Sequence, residues 1–320
     1  MAENTSLQST LKSQDTEETI DVYFTRPIGL LWARFFNLFD AHPNVITILS
    51  IFLGVAAGIC MGHGYGSWTY TLLGIGLLMW ANFYDSADGQ LARMTGKRSL
   101  WGRILDGFAG DAWFISIYAA LGFRLMSQPV LPFWDESPLW SWWIFPVFYF
   151  VGFHMHGVQS RLADYYRNVH LYFIKGAAGS ELDSAEKLRA DYARIRWSEQ
   201  PAWKLFLYFY CNHTAAQERE TPAFQQLKQL LDERYGQNIP ADVVEQFRAG
   251  SLPLMKWTNF LTFNWRAFSL YASLLLCVAT PWAVILYPLL EATVFQFVYL
   301  RMRRQHEQHC RALRQSLLAP

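Results

Sequence analysis

An all-α membrane bundle of six transmembrane helices is the fold that this sequence predicts. Hydrophobic residues make up 52% of its 320 residues and charged ones only 17%, against about 25% charged in ordinary soluble domains. Several uncharged runs approach the roughly 20 residues that cross a bilayer as a helix. A third observation organises the rest: Asp85, Asp88, Asp106 and Asp111 stand at the edges of apolar runs, where acidic side chains are costly and usually have a task.

Some classes are disfavoured at once. The formal net charge is +1, and no basic block interleaved with aromatics suggests a nucleic-acid partner. Cys60, Cys211, Cys277 and Cys310 are scattered without a CxxC pair, so neither a disulfide framework nor a structural zinc site is expected. His306, His309 and Cys310 fall in a charged stretch and read as parts of a solvated tail rather than as metal ligands.

Residues 1–22 are polar, lack the basic and apolar regions of a signal peptide, and read as a disordered tail. From Tyr23 to Phe39, Ile28, Leu31, Trp32 and Phe35 alternate with Arg26 and Arg34, predicting an amphipathic helix in the membrane interface. Pro43 presets the first turn of span one, Val45 to Met61, where Asn44 and Thr47 can satisfy free amides. The loop at residues 63–67 is short, so span two, Trp68 to Tyr84, must return antiparallel. After the turn at Lys97 and Arg98, span three runs from Gly102 to Leu125. Span four, Leu139 to Val158, opens on Trp140, Trp142 and Trp143, which suit an interfacial belt.

These four spans and the interfacial helix make one region, 23–174. Residues 175–257 form a helical cytosolic insertion. A capping box at Asp183–Glu186 opens one helix in it, and Thr221-Pro222 opens another that stops at Gly236. A shorter helix is expected from Pro240 to Ala249. Spans five (Thr258 to Thr280) and six (Trp282 to Leu300) complete a region 258–304, followed by a tail at 305–320. Arg266 and Glu291 interrupt these spans and are expected to face the bundle interior. Basic residues gather at one side (Arg26, Arg34, Lys97, Arg98, Arg301, Arg303), which places that side and the acidic residues in the cytosol.

Asp85 and Asp88 are three apart and share a helical face. Gly89 and Ala92 beside them remove bulk, and Arg93 adds a cation suited to phosphate. Gly102 and Asp106 repeat the pattern across the turn. Carboxylates facing one another from two helices cannot stay bare; two Mg2+ or Mn2+ ions would resolve the repulsion and equip the site for a diphosphate. Two other readings stay open on the residues alone: solvated acids at helix ends, or the ion pathway of a six-helix divalent cation transporter.

The segment also resembles the signature of the CDP-alcohol phosphotransferase (CDP-alcohol phosphatidyltransferase) family. The pattern D-x2-D-G-x2-A-R-x8-G-x3-D is met by Asp85, Asp88, Gly89, Ala92, Arg93, Gly102 and Asp106, and Pro43–Thr47 looks like the family's usual opening of its first span. The family's last aspartate would fall on Gly110; here the acid comes one residue later, at Asp111. One residue turns a side chain by about 100° on a helix. A single π-bulge would restore the facing, and Gly107 and Gly110 would ease it.

The resemblance implies metals on Asp85, Asp88, Asp106 and Asp111, and a cytidine diphosphate pocket lined by Gly89, Ala92, Arg93 and Gly102. It implies Asp111, with Asp106, as the catalytic acids, Asp111 being the general base that lets an alcohol expel CMP. Arg161, Asp164 and Arg167, with His154, His156 and Gln159, are candidates for an acceptor pocket or equally for interfacial anchors. Transfer of a phosphatidyl group from CDP-diacylglycerol to a small hydrophilic alcohol is the leading expectation for phospholipid synthesis. The alternative is transfer of a headgroup, as from CDP-ethanolamine, to diacylglycerol or ceramide. Membrane lipids are the expected surroundings, and a homodimer is one possible assembly.

Overall fold

The computed structural model describes residues 13, 15–63, 67–176, 179–236 and 238–319. Most of the expected tail, three residues of the 63–67 loop and three of the insertion thus lie outside the described residues. Among those described there is no strand, only an isolated bridge between Pro129 and Leu139. The chain divides into two compact units, Met1–Gly157 with Phe263–Val294, and Val158–Thr262 with Phe295–Pro320.

In the first unit a π-helical turn, Asp21–Thr25, leads into α1, Arg26–Asn37, which has Pro27 in its first turn. Next come α2 (Pro43–Gly62), α3 (Trp68–Thr95) and α4 (Leu100–Leu125). The sequence punctuates them clearly. His42 caps α2, its Nδ1 accepting from the Asn44 amide at 3.2 Å. Gly96, with φ +69°, takes the left-handed position that ends α3, a conformation that costs glycine nothing. Ser99 then caps α4 by accepting from the Gly102 amide at 3.0 Å.

The helix α2 packs against both α3 and α4. Its approach to α4 runs along Gly54, Gly58 and Gly62, one residue per turn. A Cβ at Gly54 would sit 2.0 Å from Cδ1 of Trp113, and one at Gly58 would sit 2.1 Å from Oγ of Ser116. Small residues let membrane-type helices meet backbone to backbone, where dispersion does the holding. The Trp113 indole uses the proximity to donate to the Ser50 carbonyl at 3.0 Å. α4 is α-helical throughout Leu100–Leu125. The π-bulge that would realign Asp111 is therefore not formed there.

The fourth expected span is divided. A 3-10 turn, Ser141–Trp143, is followed by α5 (Ile144–Tyr149), a π-helical segment, Phe150–His156, and the start of α6 (Gly157–Lys175). α7 (Ala185–Arg194), α8 (Pro201–Glu220), α9 (Pro222–Tyr235) and α10 (Ala241–Phe260) follow. Then come α11 (Phe263–Ala279), a 3-10 turn Pro281–Ile285, α12 (Leu286–Leu290), a π-helical turn Glu291–Phe295 and α13 (Gln296–Leu318).

Among the described residues four helical stretches are long and apolar enough to cross a membrane: Pro43–Gly62, Leu100–Leu125, Ala241–Ala279 and Pro281–Leu318. They contain most or all of the expected spans one, three, five and six. The second expected span lies within α3, whose Trp, Tyr, Thr and Asn residues dilute its hydropathy. The fourth is broken by the changes of helix type.

Two charged interiors shape the first unit. Arg124 is buried and donates to the Met61 carbonyl and to Cys277 Sγ, both at 3.0 Å. Arg266, 1% exposed, pairs with Glu291, 0% exposed. Both expected interior positions of this pair are thus met. His156 lies 3.5 Å from Glu291, with the hydroxyls of Tyr118 and Tyr287 at 3.3 and 3.5 Å from its Nδ1.

The second unit buries a core of its own. Phe173 stacks on Phe247, and His306 stacks on Tyr166 with centroids 3.9 Å apart. The carboxy-terminal stretch expected as a solvated tail is instead the end of α13. His306 and Cys310 are buried on one face of it with Met302 and Leu313. The helical period was present there, but in residues too weakly apolar to announce it. Ser184 stands before α7 without a side-chain cap; the amide of Ala185 is taken by Glu218 at 2.9 Å.

Candidate active site

The acidic residues come together where α3 ends and α4 begins. Ligand atoms of Asp85, Asp88 and Asp106 all lie within 4.8 Å of one another. Asp88 is buried, Asp85 intermediate and Asp106 exposed, so the cluster opens on one side. The sequence builds it simply. Asp85 and Asp88 share a face of α3, and the Gly96–Ser99 reversal returns the chain so that Asp106, two turns into α4, meets them.

Each ligand has a support. Thr47 Oγ1 on α2 donates to Asp88 Oδ2 at 2.5 Å. That residue was expected to cap its own helix; it orients a carboxylate of the cluster instead. Gly89 lies under the Arg93 guanidinium: a Cβ there would be 3.3 Å from Nη1. Gly102 faces Asn44 Oδ1 and Ser99 Oγ, 3.2 and 3.3 Å from where its Cβ would stand. Ala92 is half-buried beside Arg93 on α3.

Asp111 is not among the three. It is exposed on α4, five residues past Asp106, which on an α-helix is about 7.5 Å further along and about 140° around. The candidates for an acceptor pocket lie in the second unit. Arg161 donates to Glu220 at 2.6 Å, Asp164 accepts from Asn168 at 3.0 Å, and Arg167 is half-buried. Gln159 bonds Gln296 at 2.8 Å. Of the two neighbouring histidines, His154 is exposed and His156 buried.

Sequence reasoning missed one set of residues beside the cluster. Glu17 accepts from Arg26 Nε at 3.1 Å and Nη2 at 3.4 Å, and Arg26 Nη1 donates to Ser86 Oγ at 3.4 Å. Thr16 and Glu18 are also buried. Asp15 to Val22, read from composition as the end of a disordered tail, therefore pack against the first unit. Asn264 fixes them by donating to Glu18 and Asp21 at 3.0 and 2.9 Å. Two acids beside a buried amide leave no pattern in the sequence.

Three carboxylates this close repel one another strongly in a medium poorer than water. Oxygen donors of this kind fit a hard divalent cation, and Arg93 beside them fits a phosphate. Such an arrangement is suited to a phosphate group accompanied by divalent cations. Compared with known families, residues 40–171 match the model of CDP-alcohol phosphatidyltransferase. Members of that family transfer phosphate-containing groups, generally with divalent metal. No curated protein and no solved structure matches the chain.

Proposed function

We propose that this protein transfers a phosphatidyl group from CDP-diacylglycerol to a small hydrophilic alcohol, releasing CMP at the cytosolic face of a membrane. The observation that carries the reading is the meeting of Asp85, Asp88 and Asp106 within 4.8 Å inside the family-matched segment. These three carboxylates would hold two divalent ions, Mg2+ or Mn2+, with hard oxygen donors. When bound, the ions supply positive charge against the diphosphate and the leaving CMP.

The chain's own residues do the rest. Thr47 keeps one Asp88 oxygen engaged and so fixes the orientation of that carboxylate. Gly89, Ala92 and Gly102 leave room for the cytidine diphosphate, and Arg93 donates to a phosphate oxygen. The acceptor hydroxyl attacks the β-phosphorus; a new P–O bond forms while the bond to the CMP oxygen breaks. Asp111 is assigned to take the hydroxyl proton, and Asp106 to the carboxylate cluster more than a turn before it on α4. Arg161, Asp164 and Arg167 are assigned to recognition of a polyol or polyol phosphate acceptor, and the interfacial helix at 23–39 to the membrane surface.

The test is CMP release by purified full-length protein given CDP-diacylglycerol, Mg2+ and a panel of alcohols, beside arms with CDP-ethanolamine and diacylglycerol or ceramide. CMP appearing only with CDP-diacylglycerol supports the reading, and CMP appearing only with CDP-ethanolamine reverses donor and acceptor. No CMP in any arm, together with cation flux in liposomes, would replace the enzyme by a transporter.

A further inference from the structure

The contact between α1 and α3 falls on the acidic motif itself. At Gly29 a Cβ would lie 2.6 Å from Ser86 Oγ and 2.8 Å from Gln90 Nε2, so the backbone of α1 lies directly on these two side chains. Ser86 sits between Asp85 and Asp88. Gln90 donates to the carbonyl of Arg26 at 3.0 Å and to Ser86 at 3.1 Å, which pins the first turn of α1 to that surface. The Arg26 guanidinium is thereby held at Ser86, one residue from Asp85 and two from Asp88.

An arginine has five N–H donors in a planar fork. Glu17 takes one from Nε and one from Nη2, and Ser86 takes one from Nη1. Among the described residues these bonds leave two N–H groups of the fork, on nitrogens already fixed in direction. The Glu17 side chain is 2% exposed and that of Arg26 is 18% exposed. The pair is thus sealed on the glutamate side and open on the arginine side. A pair that served only to fasten the amino-terminal segment would have no need of that asymmetry or of a position against the metal motif. A planar, pre-oriented cation next to clustered carboxylates is suited to an oxygen-rich anion arriving with its own counterions.

We propose that Arg26 is a second diphosphate-binding cation of this active site, beside Arg93, and that Glu17 is the residue that positions it. The proposal rests on the transferase reading above and adds to it a residue outside the family-matched segment 40–171. The amino-terminal segment is then part of the substrate site, since it carries Glu17 to Arg26.

Binding of CDP in the presence of Mg2+, followed by titration calorimetry on full-length protein in detergent, tests this separately from turnover. R26A is expected to weaken CDP roughly tenfold or more and to raise KM for the CDP donor with kcat nearly kept, as loss of a charge-assisted contact does. R26K, which retains charge without the fork, should fall between. E17Q should weaken CDP severalfold while the melting temperature stays within a few degrees of wild type. If R26A and E17Q lower the melting temperature but bind CDP as tightly as wild type, Arg26 is a fastening only and the proposal fails alone. If wild-type protein binds no CDP and releases no CMP, the transferase reading fails and this proposal with it.

Discussion

Two clusters of buried charge in the first unit answer the same cost in opposite ways. Around Glu291 the charges cancel internally: Arg266 pairs with it, His156 and two tyrosine hydroxyls surround it, and everything is sealed from solvent. Around Asp88 three carboxylates lie within 4.8 Å of one another, more than the neighbouring Arg93 and the Glu17-paired Arg26 can balance, and the cluster is open at Asp106. Burying an ion is expensive unless a counterion comes with it. The first cluster has its counterion in the chain; the second has too little of it there and must draw the rest from outside. That difference separates a structural interior from a site, although both look alike as acids inside apolar helices.

The contrast fixes what substitution should do. Asp85→Asn is expected to lower kcat at least about a thousandfold, since a ligand of the cluster is lost. The same change should leave the melting temperature unchanged or raised, because it relieves repulsion. A variant that unfolds would break the comparison. Glu291→Gln should do the reverse, destabilising the protein by about 3–5 kcal/mol by stranding Arg266, as breaking buried pairs does. Replacing both partners, Arg266→Met with Glu291→Leu, should recover most of that in thermal unfolding. An intact melting temperature with lost turnover would move Glu291 into the chemistry.

Asp111→Asn should cost about a hundredfold in kcat if the residue is the general base, and the loss should be read from single-turnover rates. Full activity would remove Asp111 from the mechanism. The smallest effect expected is that of Thr47→Val, which removes the bond to Asp88 and should cost about 1 kcal/mol, a severalfold rise in the Mg2+ concentration needed for half-maximal rate.

Much of this was legible before any coordinates. Asp85, Asp88 and Asp106 could be joined because helical period, glycine punctuation and a short reversal are all local properties. The same holds for the first and third spans, whose apolar runs need no partner to be read. The Glu17–Arg26–Ser86 contacts could not be read, since they link residues some 60 positions apart through a segment of tail-like composition. The broken fourth span was hidden for another reason: hydropathy measures composition, while π and 3-10 turns depend on backbone bonds. His306 and Cys310 were misjudged because a buried helical face need not be made of strong hydrophobes. The π-bulge that would realign Asp111 is not formed on α4, which stays α-helical through Gly107 and Gly110.

The glycine ladder of α2 has a consequence for how this chain can change over time. Trp113, Ser116 and Ala120 fit against Gly54, Gly58 and Gly62 as teeth fit a rack. Deleting one residue between Asp106 and Asp111 would bring the acid to the family's usual position. It would also turn every tooth beyond it by about 100°, driving the indole of Trp113 out of the only gap cut for it on α2. The position of Asp111 on α4 is therefore tied to the fit between α4 and α2, and moving the acid by deletion would cost that fit.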